Sequence, residues 1–322
     1  MRTFIASLAA AVVSAGKYEA VYSHYMSTRL GGKKENLTPI TVTIDGVETT
    51  KYILSDSCTG EGADFGCPEG GRAYIVNGPS WDPKKPDYWH VDLIGDGYGT
   101  LVEWDVDLSD HGCGCINAFY TVSMPGKNAQ GDLEPSTDGY YYCDANQVGG
   151  TYCPEYDLME ANKYAYQTTP HSCDAPDDKG FYAKCDREGY HKNTSDSFME
   201  VTDFGPGEDY LIDTTKPFHV TWDAYNFPGE KLGQALTTLS QGDDKKLVLI
   251  NDDYDYLKGI AGDMTSQVFV FSNWKGDDSW LRKDRCSGSC YNDPEQKISN
   301  LKITYFHPQE YKEFKHRQPR KE

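Results

Sequence analysis

Beyond its first fifteen residues the chain has no long apolar run, and nothing approaches the roughly 18 consecutive apolar residues that a membrane-spanning helix requires. Positive charge is scarce: 31 Lys and Arg stand against 50 Asp and Glu, a formal net charge of −19. A surface this acidic argues against nucleic acid and anionic membranes as partners, and suits an uncharged polymer. Apolar residues seldom recur at three- and four-residue intervals, which argues against an all-α class. By length the chain could form one or two domains, and a single large sandwich is permitted.

What is present points outward from the cell. Met1 to Ala15 carries Arg2, then the apolar stretch Phe4 to Val13, then the small-residue site Val13-Ser-Ala15. This is the pattern of a secretory leader. Ten cysteines, an even number, in a chain bound for an oxidising compartment read as disulfides. Cys58 and Cys67 bracket a Gly-rich loop and most simply pair with each other. The sequons at Asn36 and Asn193 are expected to be glycosylated surface loops.

The remaining patterns are those of strands. Thr38 to Gly46 alternates and ends in Asp-Gly, a hairpin signal with Val47 opening the return strand. Val102, Trp104, Val106 and Leu108 alternate with Glu103, Asp105 and Asp107, giving one apolar and one acidic face. Trp104 and Trp222 fall on such apolar faces and are expected in the core. Further strands are read at Phe119 to Met124, Phe218 to Tyr225, Leu247 to Asn251, Val268 to Trp274 and Leu301 to Phe306. Many strands without intervening helices predict antiparallel sheets packed as a β-sandwich.

The chemistry concentrates at Cys153-Pro-Glu155-Tyr-Asp157-Leu-Met-Glu160-Ala-Asn162, followed by Thr169-Pro-His171-Ser-Cys173. In a regular strand Glu155 and Asp157 share a face and Glu160 points the other way. A β-bulge before Glu160 returns all three to one face; a helix spreads them around its axis. Such a row suits a retaining glycosidase, which needs one carboxylate to attack the anomeric carbon and a protonated one to release the leaving oxygen, about 5 to 5.5 Å apart. The outer acids of a bulged row lie roughly 13 Å apart at the backbone, within reach only of long side chains leaning inward. Asp157 between them crowds the charge and helps keep a proton in the cluster. A calcium site is the structural alternative, although calcium prefers a looped cage of oxygens.

These residues resemble the active-site signature of glycoside hydrolase family 7, the cellobiohydrolases and endoglucanases that cut β-1,4-glucan with retention. The likeness extends upstream to Leu101–Ser109, Cys113, Ala118–Met124 and Tyr142-Cys-Asp144, and downstream to Phe271–Trp274, Trp280-Leu281, Cys290 and Ile298–Ile303, covering roughly residues 100 to 306. It implies a concanavalin A-like jelly roll with long loops and disulfides, a concave face forming the glycan cleft, and one catalytic domain over residues 16–306 with a short polar tail from His307 to Glu322.

By resemblance Glu155 is the nucleophile, Asp157 the residue that orients it and assists proton movement, and Glu160 the acid/base, with His171 beside them. Trp274 and Trp280 match tryptophans on the leaving-group side of the cleft, and Tyr120 a tyrosine near the nucleophile. The resemblance pairs Cys143 with Cys153, Cys173 with Cys185 and Cys113 with Cys290, leaving Cys115 and Cys286 to bridge each other. A zinc site built from these last four cysteines has acceptable ligands but a very tight first spacing, and neither metal nor cofactor is expected.

Met159 stands where the family commonly has tryptophan. The stretches after Cys143, after Cys185 and around Trp274 are short, which implies an open cleft and cutting within chains. The expected protein is therefore a secreted, monomeric endo-β-1,4-glucanase acting on polysaccharide. A β-1,3 or mixed-linkage glucanase and a non-catalytic lectin-like wall protein are the alternatives.

Overall fold

The computed structural model describes residues 36–95, 98–136, 138–196, 199–227, 230–282, 285–291 and 294–306. The leader at Met1–Ala15, the polar tail at 307–322 and the side chain of Asn36 lie outside what is described. The chain runs as strands β1 (Asn36–Ile44), β2 (Val47–Ser55), β3 (Thr59–Glu61), β4 (Asp64–Gly66), β5 (Arg72–Val76), β6 (His90–Val91), β7 (Gly99–Asp107), β8 (Cys115–Val122) and β9 (Glu155–Asn162). Then follow β10 (Ala165–His171), β11 (Lys192–Asn193), β12 (Phe204–Gly205), β13 (Ile212–Asp213), β14 (Phe218–Phe227), β15 (Glu230–Gln241), β16 (Lys245–Asn251), helix α1 (Tyr254–Ile260), β17 (Gln267–Lys275), helix α2 (Ser279–Arg282) and β18 (Lys297–Tyr305).

The main ladder reads β11-β10-β9-β8-β17-β5-β2-β1-β18-β7-β14-β15-β16. It doubles over on itself, and its two halves face each other across one apolar core. Trp104 of β7 meets Phe119 of β8 edge-on at 4.9 Å, and Tyr156 of β9 meets Trp222 of β14 at 5.0 Å. Both tryptophans are fully buried, as the alternation of β7 and β14 requires. The result is the expected all-β sandwich. The β1–β2 hairpin turns at Asp45 and Gly46 with φ of 49° and 77°, the left-handed pair that an Asp-Gly turn supplies.

The half carrying β8, β9, β10, β17 and β5 has a second face, turned away from the core. There Tyr74, Tyr120, Tyr142, Val122 and Val270 form a second buried cluster under the connecting loops. The tyrosine-rich composition is thereby explained: the rings fill the layer between sheet and loops, where an apolar body and a polar tip are both needed.

All ten cysteines are paired, as Cys58–Cys67, Cys143–Cys153, Cys173–Cys185, Cys113–Cys286 and Cys115–Cys290. The last two correct the expected Cys113–Cys290 and Cys115–Cys286. The chain reverses at Gly114 (φ 73°), and the backbone of Ser289 and Cys290 packs onto the space its missing Cβ leaves. Cys290, crossing there, meets Cys115 with Cα atoms 4.7 Å apart, and Cys286 reaches Cys113 at 6.2 Å. The two spacings are so short that the sequence cannot choose between the pairings.

Asn193 is a second correction. It is fully buried in β11, and its amide nitrogen donates to Gln167 Oε1 at 2.9 Å and to the Leu281 carbonyl at 2.8 Å. With that nitrogen committed inside the fold, Asn193 is no glycan acceptor.

Candidate active site

Strand β9 carries the three acids, and its register shows how they share a face. Glu155, Asp157 and Glu160 lie opposite Val122, Tyr120 and Ala118 on β8, and opposite His171, Thr169 and Gln167 on β10. Each set of partners steps by two residues along its strand, while β9 steps by two and then by three. The extra residue forms a bulge at Leu158-Met159. Tyr156, Leu158, Met159 and Ala161 consequently all enter the core, and the acids all face the cleft. Met159 is fully buried in that core.

Each acid has its own surroundings. Glu155, 5% exposed, accepts a hydrogen bond at 3.0 Å from the backbone N–H of Ala145. Asp157 Oδ2 lies 2.9 Å from His171 Nε2. Glu160 is half-buried beside Gln167, which in turn bonds Thr169 and Asn193. Burial pushes all three carboxyls well above the usual carboxylate range. The charge of Asp157 adds to this for Glu155 and Glu160, and that of Asp144 for Glu155 and Asp157, while His171 works against it for both glutamates. The cluster therefore retains protons at pH values where solvated carboxylates have lost theirs.

His171 is held at both ring nitrogens. Its Nδ1 lies 2.9 Å from the Asp186 carbonyl, which can only accept, so Nδ1 carries a hydrogen. Nε2 is turned to Asp157. Glu155, Asp157 and His171 place donor atoms within 4.8 Å of one another, a spacing that could also hold a metal ion. Both imidazole nitrogens are already engaged, however, Nδ1 by the Asp186 carbonyl and Nε2 by the Asp157 carboxyl.

The acids open into a cleft of about 680 Å³. Tyr120, Trp274 and Trp280 all line it, with Trp280 42% exposed on α2 and Tyr120 buried, its hydroxyl 2.9 Å from that of Tyr142. Arg72, Tyr142, Asp144, Gln167, Ser272 and Arg187 line it too, residues to which the sequence alone assigns no role. The Arg72 guanidinium stacks 3.9 Å from the centre of the Tyr142 ring. Two signals could have found some of them. A lone arginine heads the apolar run Ala73–Val76, and Gln167, Thr169 and His171 form a polar period-2 face on β10.

The arrangement supplies what double displacement needs: a buried carboxylate oriented by a backbone N–H, a second carboxyl on the same face that holds a proton, and aromatic and polar side chains to seat a sugar polymer.

No protein-family model matches the chain. In sequence it is similar to "Endoglucanase type C" of Fusarium oxysporum, 34% identical over 175 residues, 47% of this chain and 38% of that protein. It is also similar to "Endoglucanase 1" of Humicola insolens, 32% identical over 173 residues, 46% of this chain and 40% of that protein. The matched region thus spans about two fifths of these relatives' length. In fold it superposes on an endoglucanase I complexed with cellobiose, with a TM-score of 0.68, 19% identity, and coverage of 85% of this chain and 98% of that one. A family 7 cellobiohydrolase from Daphnia pulex gives a TM-score of 0.65 at 16% identity over the same share of this chain. The sequence relatives are endoglucanases by name, and the solved cellulase structures, the family 7 cellobiohydrolase among them, share the fold of this chain.

Proposed function

We propose that this chain, a divergent relative of the family 7 glycoside hydrolases, is a retaining enzyme that cuts internal β-1,4-glucosidic bonds of cellulose or a related β-glucan. The observation that carries the reading is the bulge at Leu158-Met159, which costs β9 its regular pairing and has one evident consequence: Glu160 joins Glu155 and Asp157 in the cleft.

Glu155 attacks the anomeric carbon as the Glu160 carboxyl gives its proton to the departing glycosidic oxygen. Glu160, now ionised, takes a proton from water, whose oxygen displaces Glu155 from the sugar and restores the starting anomer. Asp157, tied to His171, keeps a proton and a fixed geometry next to the nucleophile. Trp274 and Trp280 offer flat faces to the C–H faces of the sugars, and Tyr120 with Tyr142 offers hydroxyls beside the reacting ring. The endoglucanase names of the sequence relatives favour internal cutting. Five disulfides and the leader pattern support action outside the cell.

The test is reducing-sugar release from carboxymethylcellulose, mixed-linkage β-glucan and laminarin by the oxidised protein beside Glu155→Gln. Fastest release from carboxymethylcellulose, absent in the variant, supports the reading. Preference for laminarin would reassign the linkage, and binding without release from any substrate would make the protein a lectin.

A further inference from the structure

The grip on His171 comes from outside the catalytic strands, and it can be followed residue by residue. The segment after Cys185 crosses β10: Asp186 N–H donates to the Ser172 carbonyl at 2.8 Å, and Tyr190 N–H to the Pro170 carbonyl at 3.1 Å. Between them Gly189 (φ 63°) comes so close that a Cβ there would lie 2.8 Å from His171 Nδ1. Cys173–Cys185 closes the base of the excursion immediately beside these contacts. The Asp186 carbonyl is thereby laid on Nδ1.

Asp186 is itself held from helix α1. The Tyr256 hydroxyl donates to Asp186 Oδ2 at 2.9 Å and accepts from the Ser172 N–H at 3.2 Å. One hydroxyl thus ties the residue after His171 to the residue that orients its ring. Tyr256 is fixed in turn: its N–H is capped by Asp253 Oδ1 at 3.0 Å, and its ring packs on Tyr190 with centroids 5.8 Å apart. Asn251 Nδ2 holds the Tyr190 carbonyl at 2.8 Å. None of these groups lines the cleft.

We propose that Tyr256 is a positioning residue for the hydrolysis: through the Asp186 carboxylate and the Ser172 N–H its hydroxyl fixes the Asp186 carbonyl on His171 Nδ1, and so keeps Nε2 aimed at Asp157. The proposal rests on the glycosidase reading above. A freed imidazole turns about its side-chain torsions, Asp157 loses its partner, and the orientation of the carboxylate row loosens. Displacement of reacting groups by even 1 Å can cost on the order of 100-fold in rate.

The hydroxyl and the ring make separable contributions. Tyr256→Phe keeps the contact with Tyr190 and removes both hydrogen bonds, whereas Tyr256→Leu removes the ring as well. The experiment measures kcat and KM on carboxymethylcellulose for wild type, both variants and Glu155→Gln, with thermal unfolding of each. It adds the nitrogen-15 NMR spectrum of the His171 Nδ1–H, assigned by loss of the signal in His171→Asn. The expected result is a fall in kcat of about tenfold or more in Tyr256→Phe with KM unchanged, an unfolding midpoint near wild type, and an Nδ1–H signal that broadens or moves. Retained kcat and an unmoved signal in Tyr256→Phe, with loss only in Tyr256→Leu, would reduce Tyr256 to ring packing and overturn the proposal. An active Glu155→Gln would instead overturn the glycosidase reading, whatever Tyr256 does.

Discussion

The carboxylate of Glu155 accepts its hydrogen bond from Ala145, ten residues upstream and on the far side of the Cys143–Cys153 disulfide. The bridge closes the loop that carries the donor, and Glu155 follows Cys153 after a single proline. Orientation of the nucleophile is thus assigned to a covalent staple beside it.

Replacing both cysteines, Cys143→Ser with Cys153→Ser, should accordingly lower kcat more than it lowers folding. A hydrogen bond to a charged group contributes about 1.5–3 kcal/mol, so a tenfold or greater loss is expected if the Ala145 N–H drifts away. Kinetics and far-ultraviolet circular dichroism together check this, because an unchanged kcat would leave the loop with no part in orienting Glu155.

Deletion of Met159 should leave Glu160 in the cleft. Without the extra residue Glu155, Asp157 and Glu160 fall at spacings of two and two, which strict alternation places on one face with no bulge. Loss of the fully buried Met159 side chain should cost about 2–5 kcal/mol, visible as a fall in the denaturant midpoint, while the folded variant keeps residual hydrolysis that Glu160→Gln removes. A folded deletion variant with no hydrolysis at all would mean that alternation alone does not place Glu160.

That bulge was legible before any coordinates, because acids at spacings of two and three can share one face of a strand in no simpler way. The Asp45-Gly46 turn and the burial of Trp104 and Trp222 were legible for the same reason: each follows from chain-local geometry. Contacts brought together by the fold were not. Arg72 reaches the Tyr142 ring across 70 residues of sequence, Tyr256 reaches Asp186 across the same distance, and two cysteine pairings depend on which side of Gly114 the distant chain passes. The Asn193 sequon misleads because its local pattern carries no information about burial.

Glu160→Gln should lose polysaccharide hydrolysis yet retain a burst of leaving group from an aryl cellobioside, whose departing oxygen needs little protonation. It should also change stability with pH in a defined direction. Burial and Asp157 raise the folded-state value of Glu160 above its unfolded value. The folded form is therefore penalised as pH climbs above the unfolded value, and not below it. The variant should unfold at higher temperature than wild type at pH 7 and at the same temperature near pH 4. Equal loss on both substrates would reassign the proton donor.

On the outer sheet His219 of β14 faces Asp105 of β7 at 2.7 Å and Glu103 at 3.4 Å. The hydrogen bonds to Asp105 and Glu103 raise it to about 9 against the cost of burial. A raised histidine stabilises the fold fully below its unfolded value near 6.5, and that contribution disappears as pH passes through about 9. His219→Gln should unfold below wild type at pH 6 and match it near pH 10. A gap that persists at high pH would show packing, not charge, to be the source.

Double displacement with retention requires a covalent bond between Glu155 and the sugar. The most direct measurement is mass spectrometry of the protein after incubation with 2,4-dinitrophenyl 2-deoxy-2-fluoro-β-cellobioside, followed by peptide mapping. One added fluorocellobiosyl group is expected, on Glu155 within residues 153–163, and none in Glu155→Gln. A labelled peptide elsewhere, or turnover of β-glucan to the inverted anomer with no adduct, would contradict it.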